Sequence, residues 1–173
     1  LVLEHPERCQ DLLDFIVARG FVPEEEARGL FRQALEAVCD CTSCGVLHRD
    51  IKPGNVLLDL ATGQVKLMDF GCGTFLQDTV YTPVTGTPSY SPPGWSHLKC
   101  YQGEAATMWS LGIFLYQMVC GKHPFKKGWD IIWGELLFSQ RLSPECQDLT
   151  RWCLSMHSLD RPSLEDLFSD PWL

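Results

Sequence analysis

Three short stretches gather the side chains that can do chemistry. They are His48-Arg49-Asp50-Ile51-Lys52-Pro53-Gly54-Asn55, Asp69-Phe70-Gly71, and Gly86-Thr87-Pro88-Ser89-Tyr90-Ser91-Pro92-Pro93. Carboxylates such as Asp50 and Asp69 can accept a proton or bind a hard cation. An amide such as Asn55 adds a neutral oxygen donor, and the Lys52 ammonium can neutralise an anion. Taken singly, each residue has a plainer reading. An isolated Asp is usually a solvated surface group or a helix cap, Asp-Phe-Gly a turn between strands, and a histidine a packed and satisfied side chain. Order and spacing carry what the single residues lack.

A further group is Cys39, Cys41 and Cys44, with His48 close behind. Cys41-x-x-Cys44 has the spacing of zinc ligands, but no second cysteine pair follows it. These residues read better as small apolar side chains at a helix end. The nine cysteines are odd in number and scattered along the chain. Reduced thiols in a cytoplasmic or nuclear setting fit them better than a disulfide framework.

The elements that must position the three stretches follow from periodicity. Asp11 to Arg19 reads as a short helix stopped by Gly20. Pro23 and three glutamates open a longer one, with an apolar stripe at Ala27, Leu30, Phe31, Ala34, Leu35 and Val38. Val46-Leu47 leads into the loop from His48 to Asn55. Val56 to Asp59 and Gln64 to Met68 read as strands of a hairpin around Ala61-Thr62-Gly63. That hairpin folds the chain back, so Asn55 and Asp69 can face one site. Gly71 to Pro93 is too polar and broken for regular structure. Helices are expected over Ala105 to Cys120, Trp129 to Phe138, Ser143 (the cap) to about Ser155, and from Ser163 to near Pro171.

The chain has 173 residues, 45% of them apolar and 21% charged, enough for one domain with a real core. Its net charge of −8 argues against a nucleic-acid partner and suits a basic peptide. No segment reads as a membrane span. Leu1 opens the sequence without an initiator Met, which is expected of a fragment.

Together the three stretches resemble the eukaryotic protein kinases, whose signature is His-Arg-Asp, an Asn five residues after the Asp, then Asp-Phe-Gly. The resemblance implies transfer of the ATP γ-phosphoryl group with Mg2+, which needs positioning and charge neutralisation more than covalent chemistry. It implies that Asp50 accepts the proton of a substrate hydroxyl and that Asn55 and Asp69 hold magnesium. It further implies that Lys52 neutralises the transferred group and that Thr87 hydrogen-bonds near Asp50 and Lys52. His48 would be architectural, packed near Asp69. Lys52, two residues after Asp50, and the segment from Gly86-Thr87 to Pro92-Pro93 look like the serine/threonine class.

Further stretches are similar to the Pim kinases: Leu3-Glu4-His5-Pro6, Gln10-Asp11-Leu12, Gly45 to Lys52, Asp78 to Thr82, Tyr90 to Pro93, Trp109 to Gly112, and Arg151-Trp152-Cys153-Leu154. This resemblance implies that residues 1–173 are a partial kinase domain, running from the hinge onward. The implied fold is a mostly α-helical C-terminal lobe with a small β-hairpin, the β-rich N-terminal lobe being absent. Pro6 has no N–H to offer adenine, so the Glu4 carbonyl would be the main hinge contact and Leu57 the floor. Asp11 and Asp14, three apart, would share a helix face suited to basic protein substrates; a solvated acidic face explains them equally well. The implied protein is a monomer acting on Ser/Thr hydroxyls in the cytoplasm or nucleus.

The sequence also departs from the family. It carries no glycine-rich phosphate loop and no Val-Ala-Ile-Lys strand, so ATP binding and catalysis by these residues alone are expected to be poor. Gly94 stands where kinases carry a Glu paired with a buried Arg, here Arg161. An unpaired buried charge would weaken the lobe. Pro53-Gly54 replaces an acidic pair, and Thr82-Pro83-Val84-Thr85 lacks the acids that would face Arg49. Phosphorylation of Thr82 or Thr85 could supply that charge. The alternative reading is a degenerate kinase lobe that binds other proteins.

Overall fold

A computed structural model describes residues 7–82, 85–93, 100–125 and 135–173. The expected hinge residues Glu4 and Pro6, Gly94, and residues 129–134 of the expected helix lie outside them.

Strand β1 (Cys9–Asp11) runs directly into helix α1 (Leu12–Arg19). Asp11 is therefore not within the helix, as its spacing with Asp14 suggested, but its cap. The carboxylate accepts the main-chain N–H of Asp14 at 2.9 Å, one of the donors that a helix start leaves unpaired. Leu12 and Ile16 bury the inner face, and Gly20 ends the helix at φ +80°. Helix α2 (Glu24–Ser43) places its three glutamates in the first turn, where the helix dipole favours them. Its buried face is the stripe Ala27, Leu30, Phe31, Ala34, Leu35 and Val38.

The polar centre hangs on two small antiparallel sheets. Strands β3 (Val56–Asp59) and β4 (Val65–Leu67) form the hairpin, with β1 on the outer side of β3. The register sets Leu57 opposite Asp11 on one side and Lys66 on the other. Strands β2 (Val46–Leu47) and β5 (Thr74–Phe75) pair separately. The stretch from Gly71 to Pro93, expected to be irregular, thus contains β5 and a 3-10 turn at Pro88–Tyr90. Two-residue strands exist only through their partners and leave no periodic pattern.

Helix α3 (Gly103–Cys120) is apolar on all sides and correspondingly central: Met108, Trp109, Leu111, Ile113, Phe114 and Leu115 have no exposed surface. Phe31 stacks on Phe114 with ring centroids 6.1 Å apart and meets Trp172 edge-on at 6.0 Å. Helix α4 (Pro144–Cys153) starts from Ser143, whose hydroxyl accepts the N–H of Cys146, with Pro144 in the first turn. Helix α5 (Leu164–Phe168) carries a capping box between Ser163 and Asp166 and stops short of the expected Pro171. The expected helix ending at Phe138 fails in its described part. Glu135 to Phe138 has no regular structure, and the Leu137 carbonyl is taken by the Tyr116 hydroxyl at 2.6 Å. Leu136 and Phe138 instead pack singly against the core.

Candidate active site

The hairpin does the positioning. At its open end the N–H of Met68 donates to the carbonyl of Asn55 at 2.9 Å, which sets Asp69 beside the loop that carries Asn55. At its closed end the Asp59 carboxylate accepts from Ala61 N–H and the Thr62 hydroxyl, and Gly63 takes φ +73°.

Asp50 is the hub of the site. Its Oδ2 accepts from Lys52 Nζ at 2.8 Å and from the Asn55 amide nitrogen at 2.9 Å. Its Oδ1 accepts the main-chain N–H of Thr87 at 2.9 Å. Lys52 Nζ donates a second bond to Thr87 Oγ1 at 2.6 Å, so the loop from His48 to Asn55 and the segment carrying Thr87 are joined through two side chains. Burial by itself would raise the Asp50 carboxyl above its usual range. The hydrogen bonds from Lys52, Thr87 and Asn55 outweigh it and hold the group below that range. Asp50 is therefore a carboxylate at neutral pH, buried to 7% exposure yet carrying a proton acceptor.

The Asn55 amide nitrogen is spent on the Asp50 carbonyl (2.8 Å) and carboxylate, which orients its Oδ1 as an acceptor. Asp69 is exposed, with Oδ1 accepting the N–H of Gly71 at 3.2 Å. One amide oxygen and one carboxylate are a donor set that magnesium accepts when phosphate and water complete it. Among the described residues no cluster of three or more His, Cys, Asp or Glu side chains could hold a metal, the Cys39-Cys41-Cys44 group included.

His48 braces the site from below. Its Nε2 donates to the Met68 carbonyl at 3.0 Å, and its Nδ1 accepts the N–H of Asp50 at 3.2 Å. Only a neutral ring satisfies both bonds, since a protonated Nδ1 would face a donor. Burial lowers its pKa, with the Met68 bond and the Asp50 and Asp69 charges opposing in part. Its ring meets Phe70 edge-on at 4.7 Å.

Sequence reasoning missed the backbone strain here. Among the described residues, Arg49 (φ +67°) and Asp69 (φ +63°) are the non-glycine residues with positive φ, and both lie at the site. Such conformations cost roughly 1–2 kcal/mol each and persist only where surroundings impose them. Arg49 is held by an Nε bond to the Cys72 carbonyl at 2.7 Å. Gly86, at φ +89°, packs onto the same residue. Both arginine and aspartate have ordinary conformations available, so nothing in the residue types announces the strain.

The model for the protein kinase domain matches residues 1–173, the whole chain. The chain belongs to the protein kinase domain family. It is 46% identical over its whole length to serine/threonine-protein kinase pim-2 of Danio rerio and covers 56% of that protein. It is 41% identical to serine/threonine-protein kinase prk-2 of Caenorhabditis elegans and covers 40% of it. It is 40% identical to testis-specific serine/threonine-protein kinase 5 of Mus musculus and covers 50% of it. The chain thus spans about half the length of these curated relatives.

The remaining expected kinase positions are spread around this centre. Leu57 is half-buried on β3, on the strand that leads out of Asn55. Asp11 caps α1 and Asp14 is exposed in its first turn. Arg161 is not left without acceptors, since its guanidinium bonds main-chain carbonyls. Thr82 is exposed, whereas the Thr85 hydroxyl is buried and has no hydrogen-bond partner. No helix of the described residues is long and apolar enough to cross a membrane.

Proposed function

We propose that this chain is the C-terminal lobe of a Pim-like serine/threonine protein kinase, residues 1–173 forming the part of the catalytic domain from the hinge onward. The observation that carries the reading is the Asp50–Lys52–Asn55–Thr87 network with Asp69 at its edge. Bound ATP with Mg2+ supplies the γ-phosphoryl group and much of the positive charge that neutralises it. Asp50 accepts the hydrogen of the incoming Ser/Thr hydroxyl and aims its oxygen. Lys52, already tied to Asp50 and Thr87, neutralises charge on the phosphoryl group as it moves. Asn55 Oδ1 and the Asp69 carboxylate hold magnesium. Leu57 would lie under the adenine, and Glu4 and Pro6, which lie outside the described residues, would supply the hinge, where a proline has no N–H to offer and the Glu4 carbonyl would be the main contact.

The substrates are proteins bearing Ser or Thr. The net charge of −8 supports a basic context around the hydroxyl. The exposure of Asp14 in the first turn of α1 supports a role in meeting such a substrate, whereas the Asp11 carboxylate is shared with the helix it caps. We place the protein in the cytoplasm or nucleus as a monomer, without a nucleic-acid or membrane partner.

The test is phosphate transfer from ATP-Mg to a basic serine peptide. It compares the chain alone, the chain fused to a Pim-type N-terminal lobe, and the fusion carrying Asp69→Asn. Transfer by the fusion that disappears with Asp69→Asn supports the reading. A folded fusion that transfers nothing overturns it in favour of a lobe that only binds proteins.

A further inference from the structure

A groove of about 340 Å³ opens where α1, α2 and the closed end of the β3–β4 hairpin meet. Every residue that lines it is described, and none adjoins an undescribed residue in sequence. Leu30 and Leu58, both part of the core, reach into its lining, with Phe15 and Leu60 beside them. Leu60 is 43% exposed, so the lining presents apolar surface to solvent. The chain's own bonds fix the walls. Gln33 Nε2 donates to the Gly63 carbonyl at 3.1 Å and its Oε1 accepts the Val65 N–H at 3.0 Å, which staples α2 to the hairpin. Arg19 Nη1 meets Glu26 Oε1 at 2.7 Å, and its guanidinium lies 4.9 Å over the Phe15 ring, which ties α1 to α2. A groove held in shape this way costs a ligand little ordering.

Gly29 also lines the groove, within α2. A glycine inside a helix costs stability against alanine. No packing demands it here, because a Cβ built on Gly29 meets nothing within 4 Å. What the missing side chain leaves is room over the groove. The charges of the lining have one sign: it carries Glu25, Glu26 and Asp59 and no basic side chain. Arg19 answers Glu26, and the Asp59 carboxylate holds the hairpin turn. Glu25 is exposed and, among the described residues, makes no ion pair.

We propose that this groove docks a segment of another protein in which leucine-like side chains stand next to arginine or lysine. The apolar residues fill the space over Gly29 against Leu30, Leu58 and Leu60, and the basic residue pairs with Glu25. A second copy of the chain is a poor match, because its net charge of −8 repels the same lining. The groove sits at the closed end of the hairpin, whereas Asn55 and Asp69 flank its open end, so a docked segment leaves Asp50 free. Docking is read without catalysis, and the proposal stands or falls independently of phosphoryl transfer.

The probe is the peptide Arg-Arg-Ala-Leu-Ala-Leu-amide carrying fluorescein, titrated with the purified full chain and followed by anisotropy. The expected result is saturable binding with a Kd on the order of 10 μM. The same peptide with both leucines replaced by serine binds at least about tenfold more weakly, since the apolar contacts are lost. Gly29→Leu sets a side chain across the groove and weakens binding by about tenfold or more. Its Tm stays level or rises by about 2 °C, because leucine favours a helix over glycine. Glu25→Gln weakens binding about threefold, the scale of one exposed ion pair, and it serves as the test even where Gly29→Leu does not fold. No saturable binding by the unaltered chain would overturn the proposal, as would equal binding of the two peptides or full binding by folded Gly29→Leu. Sedimentation that shows self-association abolished by Gly29→Leu, with no peptide bound, would also overturn it and assign the groove to a second copy of the chain.

Discussion

Gly86 lies so close to Arg49 that a Cβ built on it would sit 2.4 Å from the Arg49 carbonyl oxygen and 3.4 Å from Asp50 Oδ1. The glycine also holds φ +89°, which side-chain-bearing residues rarely adopt. Its successor Thr87 donates the N–H that fixes Asp50 Oδ1. Gly86→Ala must therefore either push the strained Arg49 backbone or draw Thr87 away from Asp50. The expected outcome is a fall in kcat of about a hundredfold, the scale of a 1 Å misplacement in a catalytic site. Circular dichroism should show the fold retained, which separates the effect from unfolding.

The Lys52–Thr87 bond predicts a milder loss. Thr87→Val keeps the main-chain N–H to Asp50 and the side-chain shape but removes the oxygen that Lys52 reaches at 2.6 Å. Lys52 then keeps only Asp50. We expect kcat to drop roughly tenfold with KM for ATP unchanged, because the group acts on the moving phosphoryl rather than on binding. Steady-state kinetics of the active fusion measures both quantities. A change confined to KM would place Thr87 in substrate binding instead.

Helix α2 and the β3–β4 hairpin are legible in the sequence because their periods persist long enough to be counted, and the stripe from Ala27 to Val38 is the buried face. The order Asp50, Lys52, Asn55, Asp69 was equally legible. What could not be read is information held by partners. Strand β5 exists only against Val46–Leu47, and Asp11 reads as a helix residue until its strand pairing with Leu57 shows it to be a cap. The positive φ of Arg49 and Asp69 has the same origin, since tertiary bonds impose it on residues with ordinary preferences. Glu135 to Phe138 has no regular structure, and its Leu137 carbonyl accepts from the Tyr116 hydroxyl, a partner far off in the sequence.

His48 predicts a pH dependence with a definite sign. Burial depresses its pKa below the ordinary 6.5, and the same holds for His123. The unfolded chain therefore binds more protons than the folded one just below pH 6.5, so stability falls as pH drops through that window and is fully present above it. Protonation would also set a donor on His48 Nδ1 against the N–H of Asp50. Urea unfolding between pH 7 and 5 should show a declining stability. The decline should shrink in His48→Phe and shrink further with His123→Phe added. A wild-type stability flat across this range would sink the assignment of a neutral ring.

Glu24 ties the start of α2 to Ser143 and Trp172 and carries the last prediction. Its Oε1 accepts the Trp172 indole N–H at 2.8 Å and the Ser143 hydroxyl, and its Oε2 accepts the Ser143 N–H at 2.8 Å. Burial would raise its carboxyl, but the Ser143 and Trp172 bonds and the Arg28 charge hold it below the ordinary 4.5. Every partner is a donor, so only a carboxylate satisfies the set. Glu24→Gln would turn an –NH2 toward one of these donors and leave a bond unmade. The expected cost is about 1–3 kcal/mol, or a Tm lower by about 3–8 °C. Trp172→Phe keeps the edge contact with Phe31 and removes one bond, so it should cost less. The group's stability contribution is present above pH 4.5 and lost as pH falls through its depressed value. Acid unfolding should accordingly begin below pH 4.5 in the wild type. Glu24→Gln should be less stable at pH 7 but lose less on acidification, and a variant whose deficit stays constant down to acid pH would show that the charge of Glu24 plays no part.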